Sequence, residues 1–162
     1  GPAVSLFRKE APGAKTTGKP NALNFGDVKV GEATSRVLFL KNDSNCEASF
    51  HFQCEQDGVF HFDRVQGVIP PLLSTFVTLV FRPERCLNYY RRVFCLVRDQ
   101  SPLFVDLVGT GHDEKVHPMP LTQKHVDAFR NRPDHVQKMG PSELDEYIAR
   151  NGGFDPSDET KE

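Results

Sequence analysis

The sequence predicts an antiparallel β-sandwich with a short α-helical extension at its C-terminal end. Apolar and polar residues alternate with a period of two in roughly seven short segments, as expected for half-buried strands. Gly, Asn, Asp and Pro separate these segments, and the alternation stops after Gly111. Short strands with this spacing are typical of two packed antiparallel sheets.

The length of 162 residues favours one domain with attachments. We expect an N-terminal arm and linker over residues 1–20, because Pro, Gly, Lys and Thr dominate its second half. The sandwich should cover residues 21–111, and residues 112–162 should form a connector, two short helices and a disordered end. Gly1-Pro2 resembles a protease-cleavage scar, so we interpret the sequence as a piece of a longer protein.

The stretch Leu23–Asn42 predicts a strand, a turn and a second strand. Leu23 and Phe25 alternate with polar residues until Gly26 interrupts the run, and Gly31 interrupts it again. Both glycines fit turns that need an open backbone geometry. A shorter apolar segment before the linker, Val4–Phe7, predicts a leading edge strand.

The later segments predict further strands in chain order. Alternation is cleanest over residues 48–54, and it places His51 on the solvent face. The strands predicted after it cover residues 59–62, 75–82, 89–98 and 103–108, with a brief strand entering a turn at 67–71. The residues predicted to form the core are Leu38, Leu40, Phe50, Phe52, Leu79 and Phe81.

Several strands are apolar on both faces, although a sandwich strand needs only one apolar face. One explanation is that the chain's own N-terminal arm and C-terminal tail cover the second faces. The other is a docking surface for a neighbouring protein. The residues predicted to contact a protein partner are Val37, Phe39, Phe76, Val80 and Phe104, with Arg91 and Arg92 at the rim.

The C-terminal segment predicts two amphipathic helices. The first should begin after an N-cap at Thr122, bury Val126 and Phe129, and stop before Pro133. The second should begin after an N-cap at Ser142. Its apolar face consists of Leu144, Tyr147 and Ile148. Helices this short are not stable alone, so they must pack on the sandwich or on a partner.

Charge and cysteine content exclude several classes of protein. A formal net charge of -2 gives no sign of a nucleic-acid or membrane-surface protein. No apolar run approaches the roughly 18 to 20 residues needed to span a bilayer. None of the four cysteines lies in a CxxC pair, and we expect reduced, structural thiols at Cys46, Cys54, Cys86 and Cys95.

No enzymatic or cofactor motif is present: the sequence has no phosphate-binding glycine loop, HExxH or GxSxG. His112, His117 and Asp113 lie close together in the connector, but a metal site needs three or four converging ligands. We therefore expect scattered, solvent-facing imidazoles, no metal and no cofactor. A nucleophilic pair of Cys54 with His51 is excluded by their opposite strand faces, whereas Cys95 with a distant histidine stays open.

The segment Tyr89-Tyr90-Arg91-Arg92 permits two interpretations. Its rings and cations could stack on bases and contact phosphates. Alternatively, it could begin an edge strand whose charges blunt the edge. We favour the second interpretation because the chain has no basic excess.

The ordered motifs of the predicted sandwich carry a family resemblance. They are Leu23–Gly31, Leu38–Asn42, Phe60, Gly67–Pro70, Val80–Pro83 and Val105–Gly111. This set resembles the ASH domain (ASPM, SPD-2, Hydin), an immunoglobulin-like branch of the major sperm protein-like sandwiches. The continuation through His112 and the helix start at Leu121-Thr122 resemble the multi-ASH proteins of ciliary axonemes.

The resemblance implies a non-enzymatic structural module of a ciliary or flagellar axonemal protein, on the cytoplasmic side and contributing to axoneme assembly and motility. It implies other axonemal or microtubule-associated proteins and neighbouring ASH domains as partners, with no nucleic acid, direct membrane binding or small-molecule substrate. The alternative is a receptor for short acidic FFAT-like peptides, as in the membrane-contact members of the superfamily. Its candidate cations are Arg36, Arg82, Arg85, Arg91 and Arg92, whereas Lys15-Thr16-Thr17 lies in the linker and does not match that peptide site.

Overall fold

The computed structural model describes residues 3–8, 22–53, 58–120, 127 and 139–150. Within these residues the chain forms nine strands and one helix whose first and last residues are defined. The strands are β1 Val4–Phe7, β2 Ala22–Lys29, β3 Thr34–Asn42, β4 Ala48–Gln53, β5 Phe60–Phe62, β6 Gln66–Ile69, β7 Ser74–Phe81, β8 Asn88–Val97 and β9 Leu103–His112. The helix is α1, Pro141–Arg150.

The strands form two sheets, which confirms the predicted β-sandwich class. One sheet has the order β1-β3-β7-β5, and the other has the order β2-β9-β8-β4-β6. The pairs β1–β3, β4–β6 and β4–β8 are antiparallel.

The chain forms two compact units, and the long strands contribute to both. The first unit is drawn from Gly1–Leu23, Ser35–Val80 and Arg92–Asp106. The second is drawn from Asn24–Thr34, Phe81–Arg91 and Leu107–Glu162.

The predicted core is confirmed, because alternation places one row of each strand away from water. Leu38, Leu40, Leu79 and Phe81 have no exposed surface, and Phe50 and Phe52 are also buried. Each buried side chain of this size contributes about 1.5–3 kcal/mol to folding. His51, between the two phenylalanines of β4, is exposed as predicted.

Strand β2 is longer than predicted because Gly26 does not end it. Phe25 and Val28 are both buried although they are three residues apart, so one extra residue is inserted into the strand's alternation. Gly26 has a φ of 76°, and its amide donates to Asn24 Oδ1 at 2.8 Å. A glycine in the left-handed region with one surplus residue is the signature of a β-bulge. The glycine therefore bends one strand instead of separating two.

Strand β9 also continues beyond its predicted end at Val108, through Gly109 and Gly111 to His112. A Cβ atom on Gly109 would lie 2.5 Å from the Phe81 ring. A Cβ atom on Gly111 would overlap the carbonyl oxygen of Arg85. These glycines mark the close approach of neighbouring chain segments, which is the second meaning of glycine within a strand.

A buried amide fixes the end of β3 in the first unit. Asn42 Nδ2 donates to the carbonyl oxygens of Cys46, Ile69 and Pro70 at 2.8, 3.1 and 3.2 Å. Asn42 Oδ1 accepts hydrogen bonds from the amide and hydroxyl of Ser44. The side chain thus satisfies its own buried polar atoms and holds two turns together.

Helix α1 begins at Pro141, two residues earlier than the predicted N-cap at Ser142 allows, and Gly140 occupies the N-cap position. Proline is favoured at the first helical position because its missing N–H would have no intrahelical partner there. The Leu144 amide donates to the Gly140 carbonyl at 2.9 Å, which closes the first turn. Leu144 and Ile148 are buried and Tyr147 is half-buried, so the predicted apolar face is confirmed.

The predicted helix after Thr122, with Val126 and Phe129, falls outside the described residues, apart from a helical Asp127. Cys54 also falls outside them. Within the described residues Cys46, Cys86 and Cys95 are free; Cys95 is buried, as expected of a structural thiol, whereas Cys46 is exposed. None of the described helices is both long enough and apolar enough to cross a bilayer.

We predict that Gly111→Ala destabilises the domain by at least about 2 kcal/mol, because the new methyl group meets rigid backbone at Arg85. The control is Gly140→Ala, where a Cβ atom meets nothing within 4 Å. This control substitution should lower the free energy of unfolding by less than about 1 kcal/mol. Urea denaturation measures both changes, and equal midpoints for the two variants would contradict the close approach at Gly111.

Candidate protein-interaction site

An apolar surface covers the outward side of three strands in the first unit. Phe7 lies opposite Phe39 in the β1–β3 register. Their rings stack with centroids 5.0 Å apart, and the Phe76 ring of β7 lies 6.0 Å from that of Phe39. We call this surface the outer aromatic face and define it as Phe7, Val37, Phe39, Phe76 and Val80.

The outer aromatic face is open to solvent over part of its area. Phe76 is 52% exposed and Val37 is 38% exposed, whereas Phe39 and Val80 are half-buried. Strand parity explains the arrangement: Leu38, Leu40, Val77 and Leu79 point inward, so their neighbours must point outward. Four of the predicted contact residues, Val37, Phe39, Phe76 and Val80, therefore belong to one surface.

A cation that sequence reasoning missed lies at the edge of this surface. Arg64 Nη2 donates to the Phe76 carbonyl oxygen at 2.7 Å and to Thr75 Oγ1 at 2.5 Å. The Arg64 guanidinium also lies 5.8 Å from the Phe50 ring centroid. The hydrogen bonds from Arg64 to β7 depend on the order of strands in the sheet. The spacing of residues in the sequence therefore could not predict that Arg64 lies beside this surface.

Phe104 lies elsewhere, on β9 in the other sheet. The Arg92 guanidinium covers its ring at 4.5 Å from the centroid. Arg92 also donates to both oxygens of Asp106, at 2.8 and 3.1 Å, and Asp106 is fully buried. Phe104 and Arg92 thus form a separate cluster around a buried carboxylate.

Arg91 is not a rim residue, because only 8% of it is exposed. Its guanidinium donates to both oxygens of Asp145 on α1, at 2.8 and 2.9 Å, and to the Tyr90 carbonyl oxygen. A guanidinium buried without a carboxylate would be strongly unfavourable, whereas this paired geometry satisfies it. Sequence separation hid the pair, since the partners are 54 positions apart in the sequence.

Helix α1 covers apolar residues of β8 and β9 in the second unit. Leu144 and Ile148 pack with Tyr90 and Val108 in one buried cluster. Arg85 on the same side pairs with Glu146 at 2.7 Å. The chain's own tail therefore covers the outward residues of this part of the sheet, as the first of the two explanations expected.

The interpretation of Tyr89–Arg92 as a blunt edge strand is wrong. Strand β8 lies between β9 and β4, so it is not an edge. Tyr89 and Tyr90 are buried, and both arginines bind carboxylates. These side chains are therefore committed to internal contacts and are not presented for stacking on bases.

A second exposed apolar group was also missed. Phe94 and Leu96 on β8 are exposed, and Leu96 lines a shallow groove with Val68 of β6 and His51 of β4. Phe94 and Leu96 share parity with Arg92, so alternation along β8 could have revealed their outward position.

The fold defines the class of protein: an immunoglobulin-like sandwich of the ASH/PapD-like type. The ASH/PapD-like domain 7 of human CEP192 superposes with a TM-score of 0.54 over 70% of this chain and 87% of that chain. Its sequence identity is 15%, so this likeness concerns the fold alone. The predicted resemblance to ASH domains is confirmed at that level.

The sequence comparison is more specific. Residues 22–115 match the family model described as CFAP65, fourth Ig-like domain, and the chain belongs to that family. It is 40% identical over 123 residues to cilia- and flagella-associated protein 65 of Chlamydomonas reinhardtii, and 33% identical over 111 residues to the Mus musculus protein of that name. The alignments cover 75% and 68% of this chain but only 6% of either relative. The predicted resemblance to a ciliary multi-ASH protein is thereby confirmed.

We predict that Asp145→Ala destabilises the domain by about 2–4 kcal/mol, because it leaves the Arg91 guanidinium buried without a carboxylate. The matched control is Glu146→Ala, which removes an exposed pair with Arg85 and should cost at most about 1 kcal/mol. Chemical denaturation measures both. If Asp145→Ala costs no more than Glu146→Ala, the Arg91–Asp145 pair does not hold α1 in place.

Cysteine reactivity should follow burial. Burial raises the pKa of the Cys95 thiol to about 12, so almost no thiolate forms below pH 10. We predict that iodoacetamide at pH 8 modifies exposed Cys46 in the native protein and leaves Cys95 unmodified. Raising the pH to 9.5 should still leave Cys95 unmodified, because the pH remains below its pKa. Peptide mapping by mass spectrometry measures the modification of each cysteine. Labelling of Cys95 in the native protein at the rate of Cys46 would contradict the burial of the Cys95 thiol.

Proposed function

We propose that this domain is a non-enzymatic structural module of a ciliary or flagellar axonemal protein and that it docks on a protein partner through the outer aromatic face. The single observation that carries the docking proposal is the exposed apolar row of that face, centred on Phe76. Family membership supports the ciliary setting. The contribution to axoneme assembly and motility, and the cytoplasmic side, are parts of the same proposal.

The composition of the face suits docking. Aromatic side chains supply large contact areas at a low cost in conformational entropy. Phe7, Phe39 and Phe76 already constrain one another through ring contacts, so binding would order few additional side chains. Arg64 at the edge offers a cation to a partner that has carboxylates around an apolar centre. Neighbouring ASH domains and microtubule-associated axonemal proteins are the proposed partners.

The alternative of a receptor for acidic FFAT-like peptides has weaker support. Such a receptor needs a basic surface that is free to meet carboxylates. Among the five candidate cations, Arg91 and Arg92 are each bound bidentately to an aspartate, and Arg85 is paired with Glu146. Their charges are therefore already neutralised within the domain, which favours docking through apolar area.

We predict that Val37→Asp/Phe76→Asp abolishes specific cross-links between the purified domain and isolated axonemes, because two carboxylates in an apolar contact cannot be desolvated without a large cost. Both positions are exposed, so the domain should stay folded, with a melting temperature lowered by the loss of the Phe39–Phe76 ring contact and by the low strand propensity of Asp. Cross-linking mass spectrometry measures the change. Phe94→Asp is the matched control, because it places the same charge on an exposed phenylalanine outside the face.

Loss of cross-links in the double variant with retention in Phe94→Asp would support the proposal and identify the partner. Equal cross-linking by the wild type and the double variant would refute docking through this face. Titration with an acidic FFAT peptide tests the alternative separately. Saturable peptide binding that survives Val37→Asp/Phe76→Asp would favour the receptor function.

A further inference from the structure

Three potential metal ligands converge in the second unit. One ligand atom from each of Asp27, His112 and His117 lies within 4.8 Å of the others. The sequence predicts scattered imidazoles, yet the rings of His112 and His117 stack with centroids 4.8 Å apart and planes inclined by 25°. The third member is Asp27 of β2 rather than Asp113, which is closer in sequence.

The backbone brings these residues together in two steps. The Val30 amide donates to the His112 carbonyl oxygen at 2.8 Å, which holds the end of β9 beside the end of β2. The chain then turns back. Asp113 Oδ1 accepts hydrogen bonds from the backbone amides of Lys115 and Val116, both at 2.8 Å, and these bonds stabilise the turn. The same two amides are the leading causes that lower the pKa of Asp113. The Asp113 carboxylate therefore stabilises the turn. The turn brings the side chain of His117 back beside that of His112.

The distances suit an atom placed between the side chains. His112 Nε2 lies 3.7 Å from Asp27 Oδ1, which is too long for a direct hydrogen bond. Two ligand atoms that share a tetrahedral Zn²⁺ ion at about 2.0–2.1 Å lie roughly 3.4 Å apart. A contraction of a few tenths of an ångström therefore brings this pair to metal-ligand geometry. Asp27 and His117 are both exposed, so their side chains have room to make the remaining adjustment.

A second observation also indicates a missing partner. His112 Nδ1 is buried and has no hydrogen-bond partner. A buried polar nitrogen without a partner is unfavourable by the desolvation of that group.

We propose that Asp27, His112 and His117 form a binding site for a divalent transition-metal ion, with Zn²⁺ as the best match. Two imidazoles and one carboxylate are ligands that Zn²⁺ accepts readily, whereas Ca²⁺ and Mg²⁺ prefer oxygen ligands alone. Water would complete the tetrahedron. The ion would fasten the connector that follows β9 to β2, beside the weak ion pair of Lys29 with Glu114 at 3.9 Å.

The test is Zn²⁺ binding by the metal-free 162-residue chain, measured by calorimetry, with Co²⁺ absorption as a report of tetrahedral ligation. We expect one ion per chain, and a rise in melting temperature of roughly 5 to 10 °C at a hundredfold excess over Kd. His117→Ala and Asp27→Asn should each weaken binding at least tenfold, in line with the loss of one of three ligands. His51→Ala is the control, because it removes an exposed histidine that belongs to the first unit.

Stoichiometric binding that is lost in His117→Ala and kept in His51→Ala would support the site. A Cys86→Ser variant with unchanged Zn²⁺ affinity would exclude the half-buried thiol as the source of binding. The proposal is overturned if the wild type binds no Zn²⁺. It is equally overturned if His117→Ala and Asp27→Asn bind Zn²⁺ as tightly as the wild type, which would show that the ion binds elsewhere.

Discussion

The two-residue period of the β-strand is the constraint on which the rest of this domain depends. Burying one row of a strand fixes the direction of the other row. On β3 and β7 the inward row is Leu38, Leu40, Val77 and Leu79, and none of these side chains has exposed surface. Since a one-residue slip would expose all four, the core determines that phenylalanine and valine side chains face outward.

The outward-facing apolar side chains differ in solvent exposure between the two units. In the second unit α1 covers Tyr90 and Val108 with Leu144 and Ile148. In the first unit the outer aromatic face keeps Phe76 more than half exposed among the described residues. This exposed apolar face is the observation on which the proposed docking function rests.

Buried charge pairs account for residues that look like surface cations in the sequence. Arg92 meets Asp106 inside the first unit, and Arg91 meets Asp145 inside the second. Each arginine uses a bidentate geometry, which is the arrangement that best offsets desolvation. These pairs specify which carboxylate must lie against which strand, whereas apolar contacts specify only that some surface must be covered.

Local patterning predicted the strands and their buried rows, because alternation is a property of neighbouring residues. It failed where a residue's role depends on a distant segment. Gly109 and Gly111 suggested the end of the last strand at Val108, but the ring of Phe81 and the backbone of Arg85 require glycine within a longer strand. Arg91 suggested a rim, because its partner Asp145 is 54 residues away. The convergence of Asp27 with His112 and His117 depends likewise on pairing between β2 and β9, which one sequence does not reveal.

The measurement that tests the docking account most directly is hydroxyl-radical footprinting of the native domain, free and after binding to isolated axonemes. It reports the solvent exposure of individual side chains without changing any of them. The account predicts that Phe76 and Val37 become protected on binding while exposed Phe94 stays reactive. Unchanged reactivity of Phe76 in the bound domain would contradict docking through the outer aromatic face.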